Sequence, residues 1–323
     1  MRSTVTRRQF LAGATVLGTA AMASCSMGSP SHVPGSDGTT PSAAAGPEDP
    51  DQLLLQAAVA DMRALRAGTD ATTQAHPALD ERVRPLARVL NRQLTVLGAV
   101  QPGEQPTSRT TRPSKAHIPA DPGRALAALR HDTSQAAAAR LDDTLAARSG
   151  PFARVLSAIS AGLNEQAVRL GGSSRLAFVP PGGPVDPAEA RRLQLALSAE
   201  HAAVYAYGVI GARGGGRRLA SSRLGYAVHL GRRDVLISMI QASGVTPVAA
   251  RPGYDLPDRI TGPAAVAHFA RTVELRCCQV YARSVSETTA DARGFCAAAL
   301  TSCGNWSVAW GHTPQPFPGA PEL

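Results

Sequence analysis

Two proline-bearing segments of close to twenty residues, Pro102–Asp121 and Gly244–Gly262, fill the same slot in two helical halves of this 323-residue chain, and no other feature constrains the fold so tightly. Around them the sequence is rich in Ala, Leu and Arg, with apolar residues at three- and four-residue spacing, as amphipathic helices require. The pattern predicts helices near 52–68, 77–100, 123–148 and 151–171, then near 187–212, 217–243, 263–286 and 291–311, with Pro85 in or near a kink of the second. Starts of the second, third and fourth helices of the two halves lie about 140 positions apart. A long loop without secondary structure ordinarily argues against an assignment. Repeated in the same slot, it has a cause: a four-helix bundle with one long crossover connection. The expected fold is all-α, two such bundles in tandem. One irregular domain of eight helices is the alternative.

Local start signals support these elements. Asp186-Pro187-Ala188-Glu189 supplies an N-cap, a proline at the first helical position and a glutamate at the third. Gly150-Pro151 and Gly262-Pro263 also place proline in a first turn.

The chain begins differently. Arg7-Arg8 precede Phe10-Leu11 and a weakly apolar run that stops at Ala23-Ser24-Cys25. Adjacent arginines before such a run read as a twin-arginine export signal. The run is shorter than the roughly 20 apolar residues a membrane-spanning helix needs. Met22-Ala23-Ser24-Cys25 has the form of a lipobox, in which cleavage before Cys25 leaves a thiol for acylation; the bland alternative is an ordinary cleaved signal. The Ser/Gly/Pro/Ala-rich segment that follows lacks apolar periodicity and reads as a disordered tether with a reach of roughly 25–30 Å. The expected organisation is a signal peptide over 1–24, a tether over 25–50, a degenerate bundle over 51–172 and a second bundle over 185–323. The location is the extracytoplasmic face of the cell membrane, anchored by lipid.

Formal charge is +9, of which the leader's Arg2, Arg7 and Arg8 account for three, leaving +6 in the remainder. Lys115 is the only lysine. Basic pairs such as Arg191-Arg192, Arg217-Arg218 and Arg232-Arg233 have no interleaved aromatics, so a nucleic-acid platform is not expected. The partners that remain are the membrane itself, anionic envelope polymers and a second copy of the chain.

Chemistry concentrates in the second half. Leu193, Leu197, Glu200, Val204, Tyr207 and Gly211 fall on one helical row, which places a carboxylate inside an apolar stripe. Such a group must be paired, protonated or bound to metal. Tyr226, His229, Arg233, Leu236 and Ile240 share a face of the next helix; Glu274, Cys278 and Tyr281 edge the following one; Cys296, Ala299, Cys303, Trp306 and Trp310 line the last. A carboxylate-bridged di-metal bundle needs a Glu from two helices and Glu-x-x-His from the other two. Here Glu200, His229 and Glu274 stand alone: Tyr226 occupies the place of a Glu before His229, and the last helix offers neither Glu nor His inside. The three residues fit either a buried hydrogen-bond and ion-pair network with Tyr205 or Tyr207, Arg232 or Arg233 and Asp234, or an incomplete Fe, Mn or Zn site. The four remaining cysteines, Cys277, Cys278, Cys296 and Cys303, crowd the last two helices of a chain expected outside the cytoplasm. Heights around the intervening turn favour a disulfide, Cys278 with Cys296 or Cys277 with Cys303, against the alternative of free buried thiols.

These residues also carry a family resemblance. The run from Leu197 to Gly208, His229 to Asp234, Gly244 to Pro247 and the tail Pro316 to Gly319 resemble the ferritin-like domain of unknown function found in lipoproteins of high-GC bacteria. It covers residues ~191–321, about 40% of the chain. The first half resembles a decayed copy, its Leu156–Ala161 being similar to the last helix of that domain. The resemblance implies a ferritin-like fold and no particular chemistry. Function is therefore expected to be a non-catalytic binding or scaffold module at the cell envelope, with no cofactor assigned. A metal-binding or metal-dependent oxidase protein is the alternative.

Overall fold

The computed structural model describes residues 49–100, 118–172, 184–214, 216, 218–257 and 259–323, without side chains at 99 and 100. The export signal Arg7-Arg8, the lipidation candidate Cys25, most of the tether and most of the first long loop lie outside the described residues. Among those described there is no strand, and no helix is long and apolar enough to cross a membrane.

The described residues form eight α-helices: α1 Pro50–Ala75, α2 Asp80–Val100, α3 Pro122–Ala146, α4 Gly150–Arg169, α5 Pro187–Gly214, α6 Arg218–Ala242, α7 Gly262–Glu287 and α8 Ala290–Ala309, with a 3-10 turn over Pro77–Leu79. Proline in the first turn sets the start of α1, α3, α4 and α7, and the Asp49, Asp121 and Ser149 side chains cap the first three of these. Asp186 likewise accepts from the Ala188 N–H at 2.7 Å ahead of α5. Helix α2 runs through Pro85, which sits in its second turn.

The largest departure from the sequence reading is α1, which continues seven residues past the expected end at 68. Gly68, Thr69, Asp70, Thr72 and Thr73 look like a terminator. Yet the Thr69, Thr72 and Thr73 hydroxyls bond back to the carbonyls of Leu65, Gly68 and Thr69, and Thr69 and Thr72 turn into the core with their donors satisfied.

Packing repeats between the halves. Helix α1 packs on α2 and α3, and α3 on α4; correspondingly α5 packs on α6 and α7, and α7 on α8. The second long loop lies along α5, where the Gln194 amide brackets Thr246 O and Val248 N at 2.8 Å each and Tyr205 meets Tyr254 with ring centroids 5.4 Å apart.

One hydrophobic core runs through both halves, because α4 packs on α7 and α8 as well as on α3. That dual contact explains why α4 is buried nearly all round. Close approach depends on small residues: a side chain on Gly150 would lie 2.1 Å from Ser286 O, and one on Gly304 would lie 2.7 Å from the Glu165 carboxyl. Arg293 at the start of α8 reaches across to carbonyls of Thr144 and Ala147, capping the end of α3 with a cation where the helix dipole favours one. The C-terminal tail seals the seam. Gln93 Nε2 donates to Pro316 O at 2.8 Å, and the Gln315 N–H donates to Glu165 at 2.7 Å.

Candidate functional site

The apolar stripe of α5 delivers Glu200 to the middle of the second half, with no exposure to solvent. Opposite it, α6 contributes His229 and Arg232 and α7 contributes Glu274 and Tyr281, all buried. His229 bridges the two carboxylates. Its Nδ1 contacts Glu200 Oε2 at 2.6 Å and its Nε2 contacts Glu274 Oε1 at 3.2 Å. The Tyr281 hydroxyl donates to Glu200 Oε1 at 2.6 Å, and Arg232 lies 3.8 Å from the same oxygen. The Tyr207 hydroxyl donates to Glu274 Oε1 and accepts from Trp310 Nε1–H at 2.9 Å. Gly225 makes room for this chain, since a Cβ there would lie 2.2 Å from the Tyr207 ring.

Of the sequence alternatives, then, Tyr207 and Arg232 are the members. Tyr205 is exposed, and Arg233 pairs with Asp234 at the surface. The face of α6 is rotated from the expected one: Ser222, Gly225, His229, Arg232 and Leu236 point inward while Tyr226 is exposed. Trp310, predicted only as a member of a row on α8, and Tyr281, predicted beside Glu274 at the edge of the α7 stripe, are part of the network.

The expected disulfide between α7 and α8 is absent: Cys277, Cys278, Cys296 and Cys303 are four buried free thiols. Height alone misled the reading. The Cys303 sulfur accepts from Arg232 at 3.1 Å, and the Cys278 thiol turns to the Leu300 carbonyl instead of to a second sulfur. Cys296 is fully buried, and burial pushes its thiol up to about 12.

Charge explains the protonation pattern. Burial alone would depress His229, but Glu200 and then Glu274 reverse this and hold it up at about 10, so it is an imidazolium at neutral pH. Burial raises the Cys303 thiol, yet hydrogen bonds from Cys277 and Cys278 and the charge of Arg232 outweigh it and lower it well below its ordinary value. Two cations thus face three acidic groups, and one acid takes up the imbalance. It is Glu274, raised to about 7 by burial against the pull of His229; its Oε2 has no partner among the described residues. Tyr207 and Tyr281 are both raised by burial, with their carboxylate partners adding to it, so both stay neutral donors.

The sequence offered no signal for Glu165, which points from α4 to Gly304 of α8. Burial pushes it up to about 8 against a hydrogen bond from the Gln315 N–H. Glu165, Glu274 and His229 therefore all keep a proton in the fold where the unfolded chain, with ordinary values of 4.5, 4.5 and 6.5, has lost it. Stability carried by these protons is present below the unfolded values and is lost as pH rises through about 7, 8 and 10. Cys303, lowered below its ordinary value of 9.0, and His312, lowered from 6.5 by burial and then by Arg271, pull the other way. Thermal unfolding followed from about pH 5.5 to pH 8.5 is expected to show a falling melting temperature, and Glu165→Gln is expected to flatten that fall. A melting temperature that climbs over the same range would contradict the assignment.

As arranged, the residues do not fit a metal. Both nitrogens of His229 are engaged, Glu200 is taken up by His229, Tyr281 and the Arg232 cation, and only Glu274 Oε2 is unspent. Among the described residues no three His, Cys, Asp or Glu side chains are grouped to hold an ion.

Residues 192–322 match the family described as a domain of unknown function, DUF4439. The chain is also similar to the crystal structure of a conserved hypothetical protein from Mycobacterium tuberculosis, at 34% identity over 38% of this chain and 94% of that one, with a TM-score of 0.36. No curated protein matches the chain.

Proposed function

We propose that this chain is an exported lipoprotein of the cell envelope, held at the outer face of the membrane through Cys25, and that its ferritin-like helical bundles serve as a non-catalytic binding or scaffold module. The observation that carries this reading is the closed accounting at His229: each nitrogen that could ligate a metal is spent on a carboxylate of the protein itself. A network satisfied in that way specifies one packing register for α5, α6 and α7. It adds little net stability, because desolvating the charges offsets most of their attraction. The paired helix pattern of the halves supports two bundles in tandem, the first lacking the buried carboxylate–histidine set.

The alternative, a metal-binding or oxidase-type protein built on Glu200, His229 and Glu274, requires His229 to release at least one carboxylate. Metal analysis of protein isolated from the envelope after native export decides between the two. No stoichiometric Fe, Mn or Zn is expected. Stoichiometric metal that disappears in Glu200→Ala would reverse the conclusion. For the anchor, Cys25→Ser is expected to move the protein from the membrane fraction to the soluble one after a high-salt wash, which removes electrostatic binding; retention of Cys25→Ser in the salt-washed membrane fraction rules the anchor out.

A further inference from the structure

A group of arginines without acidic partners gathers where α2 begins and α4 ends. Arg169 at the end of α4 donates to the carbonyl of Arg82 at 2.8 Å, and Arg130 of α3 donates to the carbonyl of Gly171 at 3.2 Å. A Cβ on Gly171 would lie 3.8 Å from both the Arg130 and the Arg82 guanidinium, so the two converge on one point. Arg88, two turns along α2 from Arg82, is close enough to add its charge to that felt by Arg169. Arg82 and Arg88 are exposed, Arg130 and Arg169 half-buried. None of the four forms an ion pair among the described residues, whereas the nearby Asp80 is occupied by Arg84. Two of the guanidiniums spend single donors on carbonyls near the end of α4. Each carries five N–H groups, so most of their donors are uncommitted among the described residues.

Gathering like charges costs free energy, and burial adds to it: Arg169 is pulled below its usual range by its surroundings and then by Arg88 and Arg82. An anion bearing several oxygens would relieve that cost with forked hydrogen bonds, and phosphate geometry suits guanidinium best. We propose that Arg82, Arg88, Arg130 and Arg169 form a docking surface for the phosphates of anionic lipid headgroups.

This rests on the envelope reading for its choice of a bilayer over other phosphate sources. The chain enters the fold at Asp49, beside the start of α1, while the arginines lie toward the other end of that helix, whose 26 residues span roughly 39 Å. The 23 residues between Cys25 and Asp49 can extend to roughly 80 Å. A tether of that length lets the far end of the fold turn back to the surface that holds the lipid, which a linker of a few residues would not. Docked, the fold would stand with its arginine end on the bilayer.

The test uses the chain from residue 25 onward with Cys25→Ser, so that no acyl chain contributes and failure of the anchor does not affect the result. Co-sedimentation with phosphatidylglycerol-containing vesicles is compared with pure phosphatidylcholine vesicles at two salt concentrations. Binding to the anionic vesicles alone, weakened by salt, is expected. Arg82→Gln with Arg88→Gln, which removes no hydrogen bond of the fold, should weaken partitioning about 25-fold, at roughly fivefold for each neutralised arginine. Arg82→Lys with Arg88→Lys should retain most of it. Equal binding to both vesicle types, or an unchanged double-Gln variant with an unaltered melting temperature, would overturn the proposal. So would tight binding of soluble polyphosphate by a protein that ignores the vesicles.

Discussion

Glu200→Gln is expected to destabilise the metal-free protein by about 3–5 kcal/mol, the range for breaking a buried ion pair by removing one partner. The substitution keeps the shape and an acceptor for the Tyr281 hydroxyl. It loses the charge that compensates His229 and Arg232, and it sets an N–H₂ or a neutral oxygen against His229 Nδ1, which now lies 2.6 Å from a carboxylate. Burial then has the upper hand at His229, whose raised value depends first on Glu200 among its partners, and the imidazolium is expected to lose its proton near neutrality. For a fold of this size the loss corresponds to roughly 6–20 °C in melting temperature, measured in the presence of a chelator. A metal ligand would behave differently: its loss would abolish metal binding and leave the chelator-treated protein unmoved. Asp234→Asn is the control, because the Arg233–Asp234 pair lies at the surface and is worth well under 1 kcal/mol. If both variants melt with the wild type, the network is not what holds α5, α6 and α7 in register.

What made Glu200 visible in the sequence was its isolation in an apolar row, and the same logic located His229 and Glu274. The logic failed where helix phase was ambiguous. Helix α6 carries arginines at both 232 and 233 and a tyrosine next to Gly225, so periodicity placed His229, Leu236 and Ile240 inside but put Tyr226 there too and left the choice of arginine open. The deciding feature is that Gly225 must face the Tyr207 ring, a contact between residues eighteen positions apart in sequence that no single-helix pattern contains. The eight helices were legible because proline starts and acidic or Ser caps are local signals. The end of α1 was not, because buried threonines with back-bonded hydroxyls look like a terminator until their partners are known. Glu165 could not be read at all. Its significance comes from α8 and the tail, about 140 and 150 residues further on. The cysteine error has the same origin: height along α7 and α8 says nothing of direction around each helix, and the Cys303 sulfur is taken up by Arg232 from a third helix.

Gly319→Ala is expected to be as damaging as any change in the buried network, although it lies in a tail four residues from the C-terminus. Gly319 has φ +75°, in the region that disfavours any side chain, and its missing Cβ would lie 2.3 Å from the Cys278 carbonyl oxygen and 2.8 Å from Ala282 Cβ. Both obstacles belong to the rigid face of α7, so no rotamer change relieves them. The tail must lift. Lifting exposes Phe317, now 4% exposed, and Ala320, now 0%; re-exposing a phenylalanine alone costs about 1.5–3 kcal/mol. It also withdraws the Gln315 N–H from Glu165 and the Pro316 carbonyl from Gln93, both buried, at roughly 1–3 kcal/mol for each stranded group. Urea unfolding should therefore show a loss of about 3 kcal/mol or more, with the Glu165-dependent part of the pH profile altered as well, since the hydrogen bond that restrains the Glu165 shift is gone. Gly253→Ala, in the open space of the second long loop, should change stability by less than about 0.5 kcal/mol. A Gly319→Ala protein as stable as that control would mean that the tail is not what couples α4 to α7 and α8, and that the two halves hold together through their helices alone.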